Sequence, residues 1–334
     1  MTRDRLLEYH AKDGVMVLIK GTKPDSADFL RNQRLTPLGR RLSALSFASR
    51  LARSSTSWQE SRSSRARPDA LRSTTPRGYE GDHKRGMTRD FVGRVVIITG
   101  AWRGIGRAAA ERFYERGASV AVNVRDRERA DSLATSIGER ALGVPGDVAS
   151  AGVAEEMVRL TLERFGRVDV VVNNAAFARS TRFPDLTAEE WREALEVNMT
   201  APFLLTKAVV PAMRAQRYGR IINISSSAGR MVSTLGGAHY TASKAGLLGL
   251  TRAAAKELGE FGITVNAICP GLIDTELTRE NASAELLERL AASYPVPRLG
   301  TTLEVADLIC FAASEAAGYI TGASFDINGG DLMM

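Results

Sequence analysis

The sequence lacks any apolar run long enough to cross a bilayer. The longest runs, such as residues 95–98 and 208–213, fall well short of the roughly 20 residues that a spanning helix needs. Cysteine is scarce too, because Cys269 and Cys310 lie far apart in separate apolar segments without Cys-x-x-Cys spacing. The three histidines show no metal-ligand spacing. These shortages exclude a transmembrane protein and a disulfide framework, and they predict a cytoplasmic protein with reduced core cysteines and no bound metal.

The net charge of +7 is unevenly distributed along the chain. Residues 1–86 contain 18 Lys/Arg and 9 Asp/Glu, which gives +9, whereas residues 87–334 contain 27 and 29, which gives −2. A basic balance over the whole chain would suggest a nucleic-acid partner. Because the excess belongs to the amino-terminal part, we expect no nucleic-acid partner for residues 87–334.

Residues 1–86 differ in character from the rest of the chain. From residue 40 to residue 85 they are dense in Arg and Ser and have little apolar periodicity. Such a segment buries too little surface to offset the entropy lost on ordering. We predict a disordered extension, or a segment that is not part of the native protein. A transit peptide and a nucleic-acid-binding arm are alternatives, although Asp4 and Glu8 argue against a transit peptide.

Residues 87–334 alternate short β-branched runs with longer helical segments, which is typical of βαβ units. The pattern predicts a single α/β domain with a doubly wound parallel sheet, the Rossmann fold, and a ligand at the carboxyl ends of the strands. The expected strands cover residues 94–99, 119–124, 141–146, 168–173, 220–224, 264–269 and 323–327. Helices are expected at 105–116, 188–214 and 240–261.

A glycine-rich loop follows the first of these strands. Gly100 permits a sharp turn, Gly104 lets the backbone approach a pyrophosphate, and Gly106 allows close packing of helix on strand. The helix that starts around Ile105 would face the phosphates with free N–H groups and a favourable dipole. The loop therefore predicts a dinucleotide site, although a glycine cluster by itself could be an ordinary turn.

The identity of the dinucleotide depends on the charge at the end of the second strand. NAD sites place a carboxylate there, but this strand ends in Arg125, and no acid precedes Asp126. Arg125 and Arg103 can pair with a 2′-phosphate, which a carboxylate would repel. We therefore predict that NADP(H) is preferred over NAD(H). A shift of one residue would instead let Asp126 meet a ribose hydroxyl.

Tyr240 and Lys244 are spaced by one helical turn, so they lie on the same helix face. A free tyrosine has a pKa near 10, and a nearby ammonium favours its phenolate form. We therefore expect Lys244 to lower the pKa of Tyr240. The simpler interpretation is a buried aromatic residue beside a lysine that extends to water.

Residues 90–331 resemble the short-chain dehydrogenase/reductase family over nearly the whole of its usual domain. The resemblance rests on several motifs that occur in the family's order. They are Thr99-Gly-x-x-x-Gly-x-Gly106, Gly146-Asp147-Val148, Asn173-Asn174-Ala175-Ala176, Asn198, Ile222-Asn-Ile-Ser-Ser226, Tyr240-x-x-x-Lys244, and Pro270-Gly271 followed by Asp274-Thr275. The resemblance implies an oxidoreductase that moves a hydride between a nicotinamide and a carbonyl or alcohol carbon.

The resemblance also implies four catalytic residues. Tyr240 would be the general acid/base, and Ser226 would hold the substrate oxygen by a hydrogen bond. Lys244 would bind the nicotinamide ribose as well as act on Tyr240. Asn198 would anchor a water that connects Lys244 to solvent. Ser227 is the alternative to Ser226, because it restores the family's usual distance from the tyrosine.

Further residues would bind the cofactor if the resemblance holds. Asp147 and Val148 would meet the adenine, and Asn174 would meet the adjoining ribose. Ile273 and Thr275 would meet the carboxamide, next to the Pro270 motif. The family's usual Asn-Asn-Ala-Gly ends here in Ala176, and we expect this departure to be tolerated.

The nearest subgroup by pattern resembles the 3-oxoacyl carrier-protein reductases. That subgroup needs basic residues to dock an acidic carrier protein, and Arg214 and Arg217 could serve. Phe261, however, stands where a basic residue is common. A sugar, polyol or hydroxysteroid dehydrogenase is therefore an alternative, and a non-catalytic NADPH-binding scaffold is a further one. Residues 277–298 would cover the substrate, and the resemblance implies a homotetramer or homodimer.

Overall fold

The computed structural model describes residues 8–12, 15–19 and 89–334. The first two ranges are strands β1 (Glu8–Lys12) and β2 (Val15–Ile19), which pair antiparallel with Glu8 opposite Ile19. These two strands were not predicted. The rest of the prediction for residues 1–86, including the Arg/Ser-rich stretch, lies outside the described residues.

Residues 89–334 contain a parallel sheet of seven strands in the order β5-β4-β3-β6-β7-β8-β9. The strands are β3 (Val95–Ile98), β4 (Ser119–Val124), β5 (Ala141–Pro145), β6 (Val170–Asn173), β7 (Gly219–Ile224), β8 (Ile263–Pro270) and β9 (Ser324–Ile327). All six neighbouring pairs run parallel. The predicted doubly wound fold is confirmed, and each predicted strand is present with ends shifted by at most two residues.

Nine α-helices are described in this range. They are α1 (Gly104–Glu115), α2 (Arg127–Ile137), α3 (Val153–Phe165), α4 (Ala188–Leu195), α5 (Ala201–Gln216), α6 (Ala238–Leu258), α7 (Glu276–Asn281), α8 (Ala284–Ala292) and α9 (Thr302–Ala313). The helical stretch predicted at residues 188–214 is interrupted by a π-helical turn, Glu196–Thr200. None of the helices described is long and apolar enough to cross a membrane.

The central strands are buried on both faces, which explains their continuous apolar sequence. On one face, Phe113 of α1 and Ile309 of α9 belong to the core cluster that covers the sheet. On the other face, Met157 of α3 and Met213 of α5 belong to a second cluster. The sheet is thus held between two apolar layers, and only its strand ends are left for polar chemistry.

A charged cluster occupies the amino ends of the strands. The carboxylate of Asp169 is fully buried and accepts hydrogen bonds from Arg94 at 3.0 Å and from Arg167 at 2.6 and 2.8 Å. It also accepts from the Val95 backbone N–H at 2.9 Å. The Arg94 guanidinium lies 4.0 Å from the centroid of the Tyr218 ring, which is a cation–π distance. This cluster ties β3 to β6 at their amino ends, away from the glycine-rich loop.

Candidate active site

The direction of the strand order changes between β3 and β6, since β4 follows on one side and β6 on the other. In doubly wound folds ligands bind at such a switch point, outside the carboxyl ends of the strands. A cavity of about 760 Å³ lies at this edge. The predicted residues that line it are Gly100, Arg103, Gly104, Ile105, Arg125, Asp147, Val148, Asn174, Ser226, Tyr240, Lys244, Pro270, Ile273 and Thr275. Gly106 and Asn198 are not among its lining residues.

The glycine-rich loop has the backbone shape that its sequence predicts. Gly100 and Gly104 have φ angles of +63° and +58°, which L side chains rarely adopt. A Cβ atom on Gly106 would lie 2.4 Å from the Asn174 side-chain nitrogen, so only glycine permits this approach. Helix α1 begins at Gly104, and its first N–H groups therefore border the cavity.

Asn174 holds the loop in place. Its side-chain amide donates to the backbone oxygens of Thr99 at 2.9 Å and Gly100 at 3.1 Å. In return, the Thr99 hydroxyl accepts from the backbone N–H groups of Asn174 and Ala175, both at 3.0 Å. The amide nitrogen of Asn174 is thus engaged in fixing the loop against β6, and a contact with a ribose stays a prediction.

Arg125, Asp126 and Asp147 bring charges of both signs to the cavity beside the carboxyl end of β4. The Arg125 side chain is 81% exposed, and its nearest ion-pair partner is Asp147 at 3.9 Å. Asp126 is the N-cap of α2, where its carboxylate accepts from the Arg129 backbone N–H at 2.9 Å. Asp126 also lines the cavity, so its contact with a ribose hydroxyl stays an alternative prediction.

Arg129 is a cavity residue that the sequence did not reveal. It lies in the first turn of α2 and lines the cavity, with its guanidinium 5.4 Å from the Trp102 ring centroid. Trp102 belongs to the glycine-rich loop, so the contact depends on the packing of α2 beside that loop. The only sequence signal was a third arginine after the second strand, at Arg125, Arg127 and Arg129.

Lys244 is buried beside the carboxyl ends of β7 and β8, with 2% of its surface exposed. Its ammonium donates to the Ile224 backbone oxygen at 2.8 Å. Burial is the main cause that lowers the pKa of Lys244 to about 8. This ammonium is therefore easier to discharge than an exposed one, and it lies where a hydroxyl ligand in the cavity could reach it.

The pKa of Tyr240 was expected to fall, and this expectation is wrong for the structure. Burial raises the pKa of the phenol, and a hydrogen bond with Ser226 offsets only part of that rise. The Lys244 ammonium lies 5.6 Å from the centroid of the Tyr240 ring and donates to Ile224, so it does not reverse the effect of burial. The phenol is consequently protonated at neutral pH.

Ser226 and Ser227 occupy different places. Ser226 lines the cavity, interacts with the Tyr240 phenol and donates to the Pro270 backbone oxygen at 3.4 Å. Its hydroxyl also caps the short 3₁₀ turn Ser227–Gly229 by accepting from the Ala228 backbone N–H at 3.1 Å. Ser227 is within that turn and does not line the cavity. The geometry thus favours Ser226 over Ser227 as the residue that contacts a substrate.

Asn198 supports the catalytic helix from behind the cavity. Its side chain accepts from the Phe177 backbone N–H at 2.8 Å and donates to the Phe177 oxygen at 2.9 Å. It also donates to the Ser243 hydroxyl at 3.0 Å, which connects it to α6. The residue lies in the π-helical turn, a local distortion that is frequent at functional sites. Its side-chain hydrogen bonds are thus used within the protein.

Comparisons with known proteins agree with this arrangement. The family model described as enoyl-(acyl carrier protein) reductase matches residues 100–331. A 3-oxoacyl-[acyl-carrier-protein] reductase of Synechocystis sp. is 42% identical over 248 residues, 73% of this chain and 98% of the relative. The reductase of the same name from Escherichia coli K12 is 38% identical over 245 residues, 73% of this chain and all of the relative. An uncharacterized oxidoreductase of Thermotoga maritima is 42% identical over 249 residues, 72% of this chain and 98% of the relative.

The chain belongs to the short-chain dehydrogenase/reductase family. The resemblance drawn from its motifs is confirmed, and the protein is an oxidoreductase. Ala176, the departure from the family's usual glycine, lines the cavity of this short-chain dehydrogenase/reductase. Among the residues that the structure describes, no group of three or more His, Cys, Asp or Glu could hold a metal ion.

The segment predicted to cover the substrate contains two helices in this short-chain dehydrogenase/reductase, α7 and α8. Thr275 caps α7 by accepting from the Thr278 backbone N–H at 3.2 Å. Glu280 of α7 pairs with Arg103 of the glycine-rich loop. In α8, Leu287 is buried. The first of these helices lines the cavity through residues 276–278.

Proposed function

We propose that this enzyme reduces the 3-oxo group of an acyl thioester, carried on an acidic carrier protein, with NADPH. Two of the relatives mentioned above bear the name 3-oxoacyl-[acyl-carrier-protein] reductase. The observation that carries the proposal is that Ser226 and Tyr240 line the same cavity, with Lys244 buried one helical turn from Tyr240. This arrangement supplies a proton donor and an oxygen-binding hydroxyl at one point.

The protonation state of Tyr240 suits a proton donor. Because burial raises its pKa above the ordinary value, the phenol carries its proton at neutral pH. It can therefore deliver that proton to an oxygen that gains negative charge.

The roles of the residues follow from their positions. Bound NADPH would supply the hydride. The Ser226 hydroxyl donates a hydrogen bond to the substrate oxygen, and Tyr240 gives that oxygen its proton. Lys244 binds the nicotinamide ribose through its ammonium. Since the Asn198 side chain is engaged within the protein, we assign the proton relay toward Lys244 to a water held by its backbone oxygen.

The cavity residues fit a dinucleotide along its length. Asp147 and Val148 border the adenine end, and Ile273 and Thr275 border the opposite end near Pro270. The loop with α1 behind it offers N–H groups for the pyrophosphate. At the adenine end the exposed Arg125 guanidinium suits a 2′-phosphate, so we propose a preference for NADP(H) over NAD(H).

Reversal of the charge at Arg125 tests this preference. We expect Arg125→Asp to reduce the ratio of kcat/KM for NADPH over NADH by about 10- to 100-fold, the effect of losing a charge-assisted hydrogen bond. Steady-state kinetics with both cofactors measures the ratio. Arg127→Asp is the matched control, because Arg127 is exposed two residues further on and does not line the cavity. An unchanged ratio in Arg125→Asp would contradict the NADP(H) preference.

A basic patch near the amino end of β8 supports a carrier-protein substrate. Arg214 of α5 lies with its guanidinium 4.3 Å from the ring centroid of Phe261, the residue found where a basic one is common. Arg214 therefore places a positive charge next to the position of Phe261, where the basic residue is missing. Arg217 follows α5 directly as its C-cap. We propose that both arginines contact the acidic carrier protein.

A substrate panel tests the proposed function. We expect an acetoacetyl thioester to be reduced by the purified enzyme, measured as loss of NADPH absorbance. Sugars, polyols with NADP⁺, and hydroxysteroids with NADP⁺ should give much lower kcat/KM values. Efficient oxidation of one of those alcohols without reduction of the thioester would replace the proposed substrate class. No turnover with any of them would favour the non-catalytic scaffold.

Location and assembly complete the proposal. We propose a cytoplasmic enzyme that assembles into a homotetramer or homodimer. The large exposed side chain of Phe203 on α5 is 46% accessible, which suits a surface that another copy covers. Sedimentation analysis gives the number of copies.

A further inference from the structure

An ion pair joins the two sides of the cavity. Arg103 is the last residue of the glycine-rich loop before α1, and Glu280 lies near the end of α7. The guanidinium donates to both carboxylate oxygens of Glu280, with Nη2 2.9 Å from Oε2. Glu276 on the same helix places a second negative charge near Arg103. The pair thus ties α7 to the glycine-rich loop.

This ion pair is accessible enough to be exchanged for another. The Arg103 side chain is 42% exposed and that of Glu280 is 53% exposed. Exposed pairs of this kind contribute at most about 1 kcal/mol, so a stronger anion in the cavity can break the pair. Arg103 lines the cavity together with residues 276–278 of α7, and Thr275, the N-cap of α7, lies against Gly104.

The same guanidinium is the predicted partner of a 2′-phosphate. The Glu280 carboxylate occupies the Nη1 and Nη2 edge of this guanidinium, so a phosphate that uses the same edge must displace it. A phosphate dianion next to this carboxylate would be repelled by it. Arg125 and Arg129 line the same cavity, so the phosphate would still have cationic neighbours. The conflict is therefore confined to Arg103.

We propose that Glu280 is a cofactor-specificity residue whose carboxylate competes with the 2′-phosphate of NADP(H) for Arg103. The inference rests on the proposed NADP(H) preference. A ligand that carries the 2′-phosphate takes Arg103 and releases α7 from the glycine-rich loop. A ligand without that phosphate leaves the ion pair intact. Glu280 thus lowers the affinity for NADP(H) and couples NADP(H) binding to the release of α7.

Calorimetric binding to the cofactor-free protein tests the competition with two fragments that differ only in the 2′-phosphate. These are adenosine 2′,5′-bisphosphate and adenosine 5′-monophosphate. We expect Glu280→Gln to tighten binding of the bisphosphate about 2- to 5-fold, the magnitude of an exposed ion pair, and to leave the monophosphate unchanged. Glu288→Gln removes the same charge from an exposed position on α8 and should change neither affinity.

The outcomes separate this inference from the function on which it rests. If the wild type binds both fragments equally, the NADP(H) preference fails and the inference fails with it. If the wild type prefers the bisphosphate but Glu280→Gln and wild type bind it equally, only the competition is overturned. An equal gain for both fragments, or for Glu288→Gln, would show a general charge effect and would also overturn the competition.

Hydrogen exchange of the α7 backbone provides a readout that does not depend on affinity. In the wild type we expect saturating bisphosphate to speed exchange across residues 276–281, whereas saturating monophosphate leaves it slow. In Glu280→Gln the exchange should already be fast without ligand. Slow exchange in that variant, or no response of the wild type to the bisphosphate, would contradict the release of α7.

Discussion

Replacement of Tyr240 by phenylalanine is expected to reduce kcat by about 10²- to 10⁴-fold, the range over which a general acid contributes. The substitution removes one oxygen from a ring whose surroundings are otherwise unchanged. That oxygen carries the proton at neutral pH, because burial raises the pKa of the phenol. The rate of thioester reduction with saturating NADPH measures the loss.

Cofactor binding distinguishes a chemical role of Tyr240 from a structural one. Trp102 lines the cavity, so quenching of tryptophan fluorescence by NADPH should report binding in both proteins. We expect the dissociation constant of Tyr240→Phe to stay within about threefold of the wild-type value, since a factor of three is only about 0.6 kcal/mol. Tyr319→Phe makes the same change at a fully exposed ring and should leave kcat unaltered. Normal turnover in Tyr240→Phe would refute the proposed mechanism.

The largest effect on stability is expected at the amino ends of β3 and β6, where the Asp169 cluster lies. We expect Asp169→Asn to lower the free energy of unfolding by about 2–4 kcal/mol, because it removes a buried charge and leaves Arg167 without a carboxylate, whereas Arg94 keeps its pair with Glu315. The figure lies at the lower end for buried pairs, since Arg94 and Arg167 are 27% and 41% exposed and water can solvate them. Denaturant unfolding followed by circular dichroism measures the change.

A matched substitution controls for the loss of one negative charge. Glu163 pairs with Arg159 on the exposed face of α3, and water surrounds both side chains. Glu163→Gln should therefore leave the unfolding midpoint unchanged within error. Equal midpoints for Asp169→Asn and the wild type would mean that the Asp169 cluster contributes no net stability. At a temperature where the wild type and Asp169→Asn are both folded, the two should have the same activity.

The sheet was predictable from the sequence because its strands are buried on both faces. A strand such as Ser119–Val124 is a nearly continuous apolar run, and both of its ends were predicted correctly. The hairpin of β1 and β2 was missed although the sequence carries a signal for it, since Val15–Ile19 is an apolar run and the pair Asp13-Gly14, typical of hairpin turns, precedes it. The π-helical turn at Glu196–Thr200 was missed for a different reason, since it changes hydrogen bonds without changing the apolar pattern.

The candidate site was predictable in its residue types and not in its electrostatics. The motifs identified Tyr240 and Lys244, but the pKa of a phenol depends on how much protein surrounds it, which a spacing of four residues does not contain. The pair of Arg103 and Glu280 joins positions 177 residues apart. Arg129 likewise becomes a cavity residue only through the packing of α2 beside the glycine-rich loop.

Strand β6 is only four residues long, yet both of its flanks are fastened to β3. Before it, Asp169 is bonded to Arg94 and Val95, and after it, Asn174 is bonded to Thr99 and Gly100. A drift of one flank along the neighbouring strand would have to break the bonds of the other. The distance between the Asp169 cluster and the glycine-rich loop is thereby fixed by β6. A substitution at one end of β6 therefore leaves its register against β3 held by the bonds at the other end.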